Sequence, residues 1–190
     1  MSKFSFVINL DRCSGCQSCE IACKYENNIP LGEYWSHVLR VGPTGTFPKV
    51  QMYWLPAQCQ QCENAPCVHV CPTGASYRDP KTNLVLINKE ACIGCKYCMM
   101  ACPYGVRSWN EKEKVVEKCT TCGHLEEPPC VTNCTGACRF FGDLDDPSSA
   151  ASKALAAASP DSIHQLRDVG NKPTTYYILS PKYAEWKEEL

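Results

Sequence analysis

The chain has 190 residues, a formal net charge of −1 and a charged fraction of 21%. That length allows one or two small domains, and the balanced charge offers no basic face for nucleic acid or anionic lipid. The outlying quantity is 17 cysteines, which inflate the hydrophobic fraction of 44% and leave few apolar side chains for an ordinary core.

In chain order, Phe4-Ser-Phe-Val-Ile-Asn-Leu10 alternates and is rich in β-formers, so a strand is predicted there. It feeds Cys13, Cys16, Cys19 and Cys23, spaced C-x2-C-x2-C-x3-C. Gly42-Pro-Thr-Gly45, Pro48 and Pro56 predict an extended excursion. It leads to Cys59, Cys62, Cys67 and Cys71, with one gap widened to four residues. A compact hairpin-like stretch, Gly74 to Asn88, ends in a predicted strand over Leu84-Val-Leu-Ile-Asn88 and reaches Cys92, Cys95, Cys98 and Cys102. A further predicted strand, Lys114-Val-Val-Glu-Lys118, precedes Cys119, Cys122, Cys130 and Cys134, where the same gap grows to seven. Short helices are expected after the third cysteine of each group. From Asp143 the text changes. Asp143-Leu-Asp-Asp-Pro-Ser-Ser149 supplies N-cap candidates for an alanine-rich helix, Asn171 to Ile178 reads as a strand, and Glu185 to Leu190 as a loose end.

Every group of four closes with the same three-residue gap, the ligand pattern of cubane iron–sulfur clusters. Three thiolates on one tight loop match three corners of a [4Fe–4S] cube, and the fourth cysteine, expected on the helix leaving the loop, ligates the other cluster of a pair. Four motifs therefore predict two pairs and four clusters. Cys138 is left over and is expected to be a small buried side chain. A disulfide scaffold is disfavoured by the odd cysteine count and by an N-terminus without an apolar signal core. A zinc site takes two C-x2-C pairs, and three consecutive cysteines at this spacing would crowd one ion. With so little apolar core, much of the folding free energy must come from metal ligation, and the apo-protein is expected to be largely unfolded.

Only Cys71 and Cys102 are followed by proline, as in simple bacterial ferredoxins. Motifs two and three thus read as one unit nested inside a second made of motifs one and four. The expected fold is α+β: two interlocked bacterial-ferredoxin-like units of short strands and helices, stabilised by clusters, plus a C-terminal helix/strand tail. Residues 1–50 with 105–147 form the outer unit, 51–104 the nested unit, and 148–190 a tail packing on the body or on a partner.

Cys92-Ile-Gly-Cys-Lys-Tyr-Cys-Met-Met-Ala-Cys-Pro-Tyr-Gly-Val106, with Glu117-Lys-Cys-Thr-Thr-Cys-Gly-His124 and Gly142-Asp-Leu-Asp-Asp-Pro147, resembles the four-cluster electron-transfer subunit of molybdopterin oxidoreductases. That family includes the small subunits of dimethyl sulfoxide, polysulfide, tetrathionate and arsenate reductases and of formate dehydrogenases. The resemblance implies crossed ligation. Cys13, Cys16 and Cys19 would share a cluster with Cys134, and Cys119, Cys122 and Cys130 would take Cys23. Cys59, Cys62 and Cys67 would take Cys102, and Cys92, Cys95 and Cys98 would take Cys71. Some relatives carry tryptophan at one third-motif cysteine and hold a [3Fe–4S] cluster; here that position is Cys95, which implies [4Fe–4S] throughout. Lys24-Tyr-Glu-Asn-Asn28, Trp35-Ser-His37 and Gly45-Thr-Phe-Pro48 resemble the arsenate reductase and transhydroxylase branch, although that branch's insertion before the fourth motif is absent.

The resemblance implies a non-catalytic subunit that relays single electrons. Its partners would be a large Mo or W bis-pterin catalytic subunit and a membrane-anchor, cytochrome or soluble carrier. The alternative is a polyferredoxin wire of a hydrogenase or carbon monoxide dehydrogenase complex. With no membrane-span-length apolar stretch, signal peptide or lipidation motif in the sequence, any anchor is expected on another subunit. The expected location is peripheral, at the extracytoplasmic face after co-export with a partner, with the cytoplasm as alternative.

Around the cysteines, Gly15, Gly94 and Gly123 are expected to let backbone approach a cluster or to serve tight turns. His69 and His124 are expected to be solvated or packed rather than ligands. Tyr53, Trp54, Tyr97, Tyr104 and Trp109 are read as shielding and core. Lys96, Arg107 and Lys118 are expected on the solvated surface, with a role in offsetting cluster charge as the alternative.

Overall fold

A computed structural model describes residues 3–188. In chain order its elements are β1 (Phe4–Asn9), α1 (Ser18–Asn27), β2 (Ser36–Thr44), β3 (Gln51–Gln58), α2 (Pro66–His69), β4 (Ser76–Arg78) and β5 (Val85–Ile87). There follow α3 (Tyr97–Met100), β6 (Ser108–Asn110), β7 (Val115–Glu117), α4 (Pro129–Thr132), β8 (Arg139–Asp143), α5 (Ala150–Ala156), β9 (Ile163–His164) and β10 (Tyr176–Ile178). Few helices, all but α1 short, and short strands make a small mixed α/β scaffold of the ferredoxin-like kind.

The largest sheet has the order β8-β1-β10-β9. β1 is central, antiparallel to β8 and parallel to β10, with Ile8 opposite both Arg139 and Tyr177. Alternation in the sequence suggests a strand wet on one face, yet Ser5, Phe6, Val7 and Ile8 are all buried. Both faces are covered: Phe6 and Ile8 turn to the cysteine-rich core, while Val7 and Ile178 pack on Ala151 of α5. That helix is capped as its sequence suggests, with Ser149 Oγ accepting from the Ser152 amide at 3.1 Å.

The C-terminal stretch is stitched into this sheet. Only Tyr176–Ile178 of the expected strand pairs; the residues before it are spent on the core, where Asn171, Thr174 and Thr175 are buried. The end is not loose as far as it is described. Trp186 stacks on His164 at 5.0 Å and packs on Tyr53 and Tyr177, because one large ring buries enough apolar area to anchor its segment. Residues 189–190 of the expected loose end lie outside the described residues.

Three antiparallel hairpins link the cysteine motifs: β2–β3, β4–β5 and β6–β7. The strands expected over 84–88 and 114–118 appear as β5 and β7. The extended excursion is the β2–β3 hairpin, whose Gly and Pro residues lie in its strands as well as its turn.

The cluster-motif helices differ from expectation in one respect. Each begins one residue before its third cysteine rather than after it, so Cys19, Cys67, Cys98 and Cys130 lie in the first turn. The reason is local chemistry. Pro66 and Pro129 occupy first helical positions, where their missing N–H costs nothing, while α1 and α3 follow Gln17 and Lys96 in the left-handed region at φ 62° and 61°. α2, α3 and α4 are only one turn long, so Cys71, Cys102 and Cys134 fall beyond them; of the four fourth cysteines, Cys23 alone is helical. α1 packs on α4 and α2 on α3.

Candidate metal centres

Four pockets are each walled by four motif cysteines. One is bordered by Cys13, Cys16, Cys19 and Cys134, the second by Cys23, Cys119, Cys122 and Cys130. The third is bordered by Cys59, Cys62, Cys67 and Cys102, the fourth by Cys71, Cys92, Cys95 and Cys98. In every case three of the motif thiols come from one motif and one from another, and Cys138 lines the first pocket as well. Among the described residues no three His, Cys, Asp or Glu side chains close on one point tightly enough for a single metal ion. Thiolates around one zinc would sit about 3.8 Å apart, given Zn–S bonds of ~2.3 Å in a tetrahedron. The donor set of each quartet is all sulfur, in the spacing that fits a multi-iron cube.

The loops that present these thiols come in two kinds. In motifs one and three, Gly15 and Gly94 take φ of +69° and +70°. A Cβ on Gly15 would lie 2.3 Å from Trp54 Cδ2, and one on Gly94 would lie 2.8 Å from the Lys114 carbonyl oxygen and 3.0 Å from Trp109. These glycines therefore admit an indole and a neighbouring strand, besides turning the chain. Gly123 lies in the turn closed by the Leu125 amide on the Cys122 carbonyl at 2.9 Å, with an ordinary φ and open space around it, so that turn does not depend on glycine. In motifs two and four the corresponding left-handed residues are Gln61 and Thr121, directly before Cys62 and Cys122.

Burial differs among the four sites. Cys16 and Cys95 are exposed, whereas Cys23, Cys119, Cys122 and Cys130 are all buried, as are Cys59, Cys62 and Cys67. Burial pushes the Cys62 and Cys119 thiols up to about 12, and Cys23 higher still. Hydrogen bonding with Ser18 and Thr135 brings exposed Cys16 down to about 7. Buried thiolates therefore need donors and counter-charge. Asn171 Nδ2 donates to Cys62 Sγ at 3.0 Å, and Asn27 Nδ2 to Cys122 Sγ at 3.6 Å. Arg107 and Arg139 supply buried positive charge.

The expectation of solvated cations holds for Lys96 alone, whose ammonium lies 4.1 Å over the Trp109 ring. Arg107 is buried beside cysteine sulfurs, and Lys118 is buried with its ammonium on the carbonyls of Val85 and Cys119. Orphaned carbonyls and thiolates attract them more strongly than water releases them. His69 is exposed, and exposed His124 pairs with Glu26 at 2.9 Å; neither borders a cysteine pocket. Tyr53 and Tyr104 are core, Trp54 and Trp109 are partly buried, and Tyr97 is exposed. Sequence reasoning missed Arg139, Asn27 and Asn171. Arg139 was findable, because Cys134-x4-Arg139 repeats Cys102-x4-Arg107; the two asparagines carry no local signal.

A small α/β scaffold that gathers motif thiols in fours around pockets defines an iron–sulfur protein of the ferredoxin class. Two matches to the 4Fe-4S dicluster domain cover residues 50–144 and 12–75, and the chain belongs to this family, among the iron–sulfur subunits of molybdopterin oxidoreductases. It is 44% identical over 227 residues to a dimethyl sulfoxide reductase iron–sulfur subunit of Halobacterium salinarum, covering all of this chain and 84% of the relative. It is 36% identical to the arsenate respiratory reductase iron–sulfur subunit of a Shewanella species, over 94% of this chain and 97% of that one. A sulfite dehydrogenase subunit of Allochromatium vinosum is 37% identical, over 94% of this chain and 83% of the relative.

Proposed function

We propose that the chain is the non-catalytic electron-transfer subunit of a molybdopterin-type oxidoreductase complex and holds four [4Fe–4S] clusters. The proposed ligand sets are Cys13/Cys16/Cys19/Cys134, Cys23/Cys119/Cys122/Cys130, Cys59/Cys62/Cys67/Cys102 and Cys71/Cys92/Cys95/Cys98. The observation that carries the reading is that each of four pockets is bordered by four motif cysteines, three from one motif and one from another. The packing of α1 on α4 and α2 on α3 supports two interlocked units, residues 1–50 with 105–147 and residues 51–104, the β2–β3 hairpin spanning their junction. The segment 148–190 is the tail of the outer unit, whose sheet it joins through β10.

A bound cubane supplies one-electron chemistry without acid, base or substrate pocket. The protein's own groups bind it, exclude water and set the charge around it. Burial of the Cys23 and Cys59 quartets keeps water out, while exposed Cys16 and Cys95 leave the Cys13 and Cys71 quartets accessible to partners. Electrons would thus enter and leave at those two corners. The relatives are named for two reductases and one dehydrogenase, so one conducting scaffold serves either direction. The partners we assign are a large Mo or W bis-pterin subunit and a membrane-anchor or cytochrome subunit. Among the described residues no helix is long and apolar enough to cross a membrane, and any anchor is assigned to a partner; the extracytoplasmic face is favoured over the cytoplasm.

The test is isolation of the native complex with metal and sulfide analysis. A large Mo- or W-containing partner and about sixteen irons with as many labile sulfides per chain are expected, four per cube. A stable monomer without a large partner, or zinc in place of iron, overturns the reading.

A further inference from the structure

Arg107 and Arg139 stand at equivalent places, each five residues beyond the fourth cysteine of its motif. Both are buried, at 6% and 3% exposure. Arg107 Nη2 donates to Ser76 Oγ at 2.9 Å, and its charge acts on the sulfurs of Cys67 and Cys98. It borders the pockets of both the Cys59 and the Cys71 quartets. Arg139 Nη2 lies 3.7 Å from Cys130 Sγ and 3.3 Å from Gln58 Oε1, and its charge acts on Cys19 and Cys119. Its Nε and Nη1, and Nη1 of Arg107, have no protein partner. Among the described residues neither arginine pairs with a carboxylate.

A buried guanidinium without a counter-ion is strongly unfavourable. Among the described residues the negative charge within reach is sulfur, and in both places it comes from two quartets at once. Cys67 and Cys98 belong to the Cys59 and Cys71 quartets; Cys19 and Cys130 belong to the Cys13 and Cys23 quartets. The two third cysteines of each helix pair, α2 with α3 and α1 with α4, flank one arginine.

We propose that Arg107 and Arg139 are electrostatic couplers, each shared by the two clusters of one pair and raising both of their potentials together. The inference rests on the four-cluster reading above. A fixed positive charge beside a ligand sulfur favours the more reduced, more negative state. Because each charge is shared, the potentials should move in twos.

The test is a redox titration of the intact complex followed by EPR, each signal first assigned with a Cys→Ser variant in each quartet. Fewer than about sixteen irons in the wild type would overturn the four-cluster reading and leave the arginines outside the result. With four clusters present, Arg107→Gln should lower the reduction equilibrium of the Cys59 and Cys71 quartets about tenfold each, ~59 mV for one electron. The other two should stay within about twofold, ~18 mV on the same scale. Arg139→Gln should do the converse, and Arg→Lys at either place, which keeps the charge, should shift the same pair less. Movement of one cluster alone, of all four equally, or of none overturns the proposal. If Arg107→Gln assembles poorly, about eight irons should be lost from the nested pair together; loss of about four or about sixteen overturns it equally.

Discussion

Cys138 Sγ lies 3.3 Å from Cys134 Sγ, and the Cys138 amide donates to that same sulfur at 3.4 Å. The seventeenth cysteine is buried, as a small apolar side chain would be, but it also borders the pocket of the Cys13 quartet. Its thiol hydrogen-bonds Cys13, which draws the Cys13 thiol down and holds its own up. With all sixteen motif cysteines intact, Cys138→Ala should keep about sixteen irons. Loss of about four would make Cys138 a ligand in its own right.

The crossed arrangement has a direct test at Cys23, which sits in α1 beside its own motif but borders the pocket of Cys119, Cys122 and Cys130. Cys23→Ser should perturb the EPR signal assigned to the Cys119 quartet and spare that of the Cys13 quartet. The reverse pattern would show that motif one keeps all four of its cysteines for one cluster.

Asn171 comes from the C-terminal stretch and is 1% exposed. Its amide nitrogen donates to Cys62 Sγ at 3.0 Å and to Tyr104 Oη at 2.8 Å, and its oxygen accepts from the Val169 amide at 3.1 Å. Asn171→Ala leaves buried groups unpaired, a cost of about 1–3 kcal/mol. It also removes a donor to a ligand sulfur, which should lower the potential of the Cys59 quartet alone. Thermal unfolding and redox titration read the two effects separately; a shift in the Cys71 quartet as well would refute the local account.

Gly15→Ala should cost the cluster of the Cys13 quartet. Its left-handed φ is unfavourable to any side chain by about 1–2 kcal/mol, and the added methyl would also fall on the Trp54 ring. Gly105 has φ of +61° and nothing within 4 Å of a built Cβ, so Gly105→Ala should pay only the backbone term. Iron content should fall for the first variant and stay near wild type for the second.

Removal of the clusters by chelation should unfold most of the chain. The main core includes Cys19, Cys23, Cys59, Cys62, Cys67, Cys98, Cys119 and Cys130, so the segments that carry them are joined largely through metal ligation, and its free energy is folding free energy. Loss of far-UV circular dichroism together with iron is expected. Retention of the native spectrum in the iron-free protein would mean that the β8-β1-β10-β9 sheet supports the fold unaided.

Cysteine spacing by itself determined the chemistry and the number of motifs, because a cubane demands three thiolates on one tight loop; β-former patterning determined the strands that lead into motifs one, three and four. Local proline placement also pointed to motifs two and three as partners, and α2 packs on α3. Tertiary structure decided the rest. It carried the C-terminal strand β10 in beside β1, brought Asn171 onto Cys62, and drew Arg107, Lys118 and Arg139 inward where surface positions are the usual home of such side chains. The physical reason is that desolvated sulfur attracts any donor or cation the folded chain can bring near it. Such attraction acts through space between residues as far apart as 62 and 171, and leaves no period in the sequence.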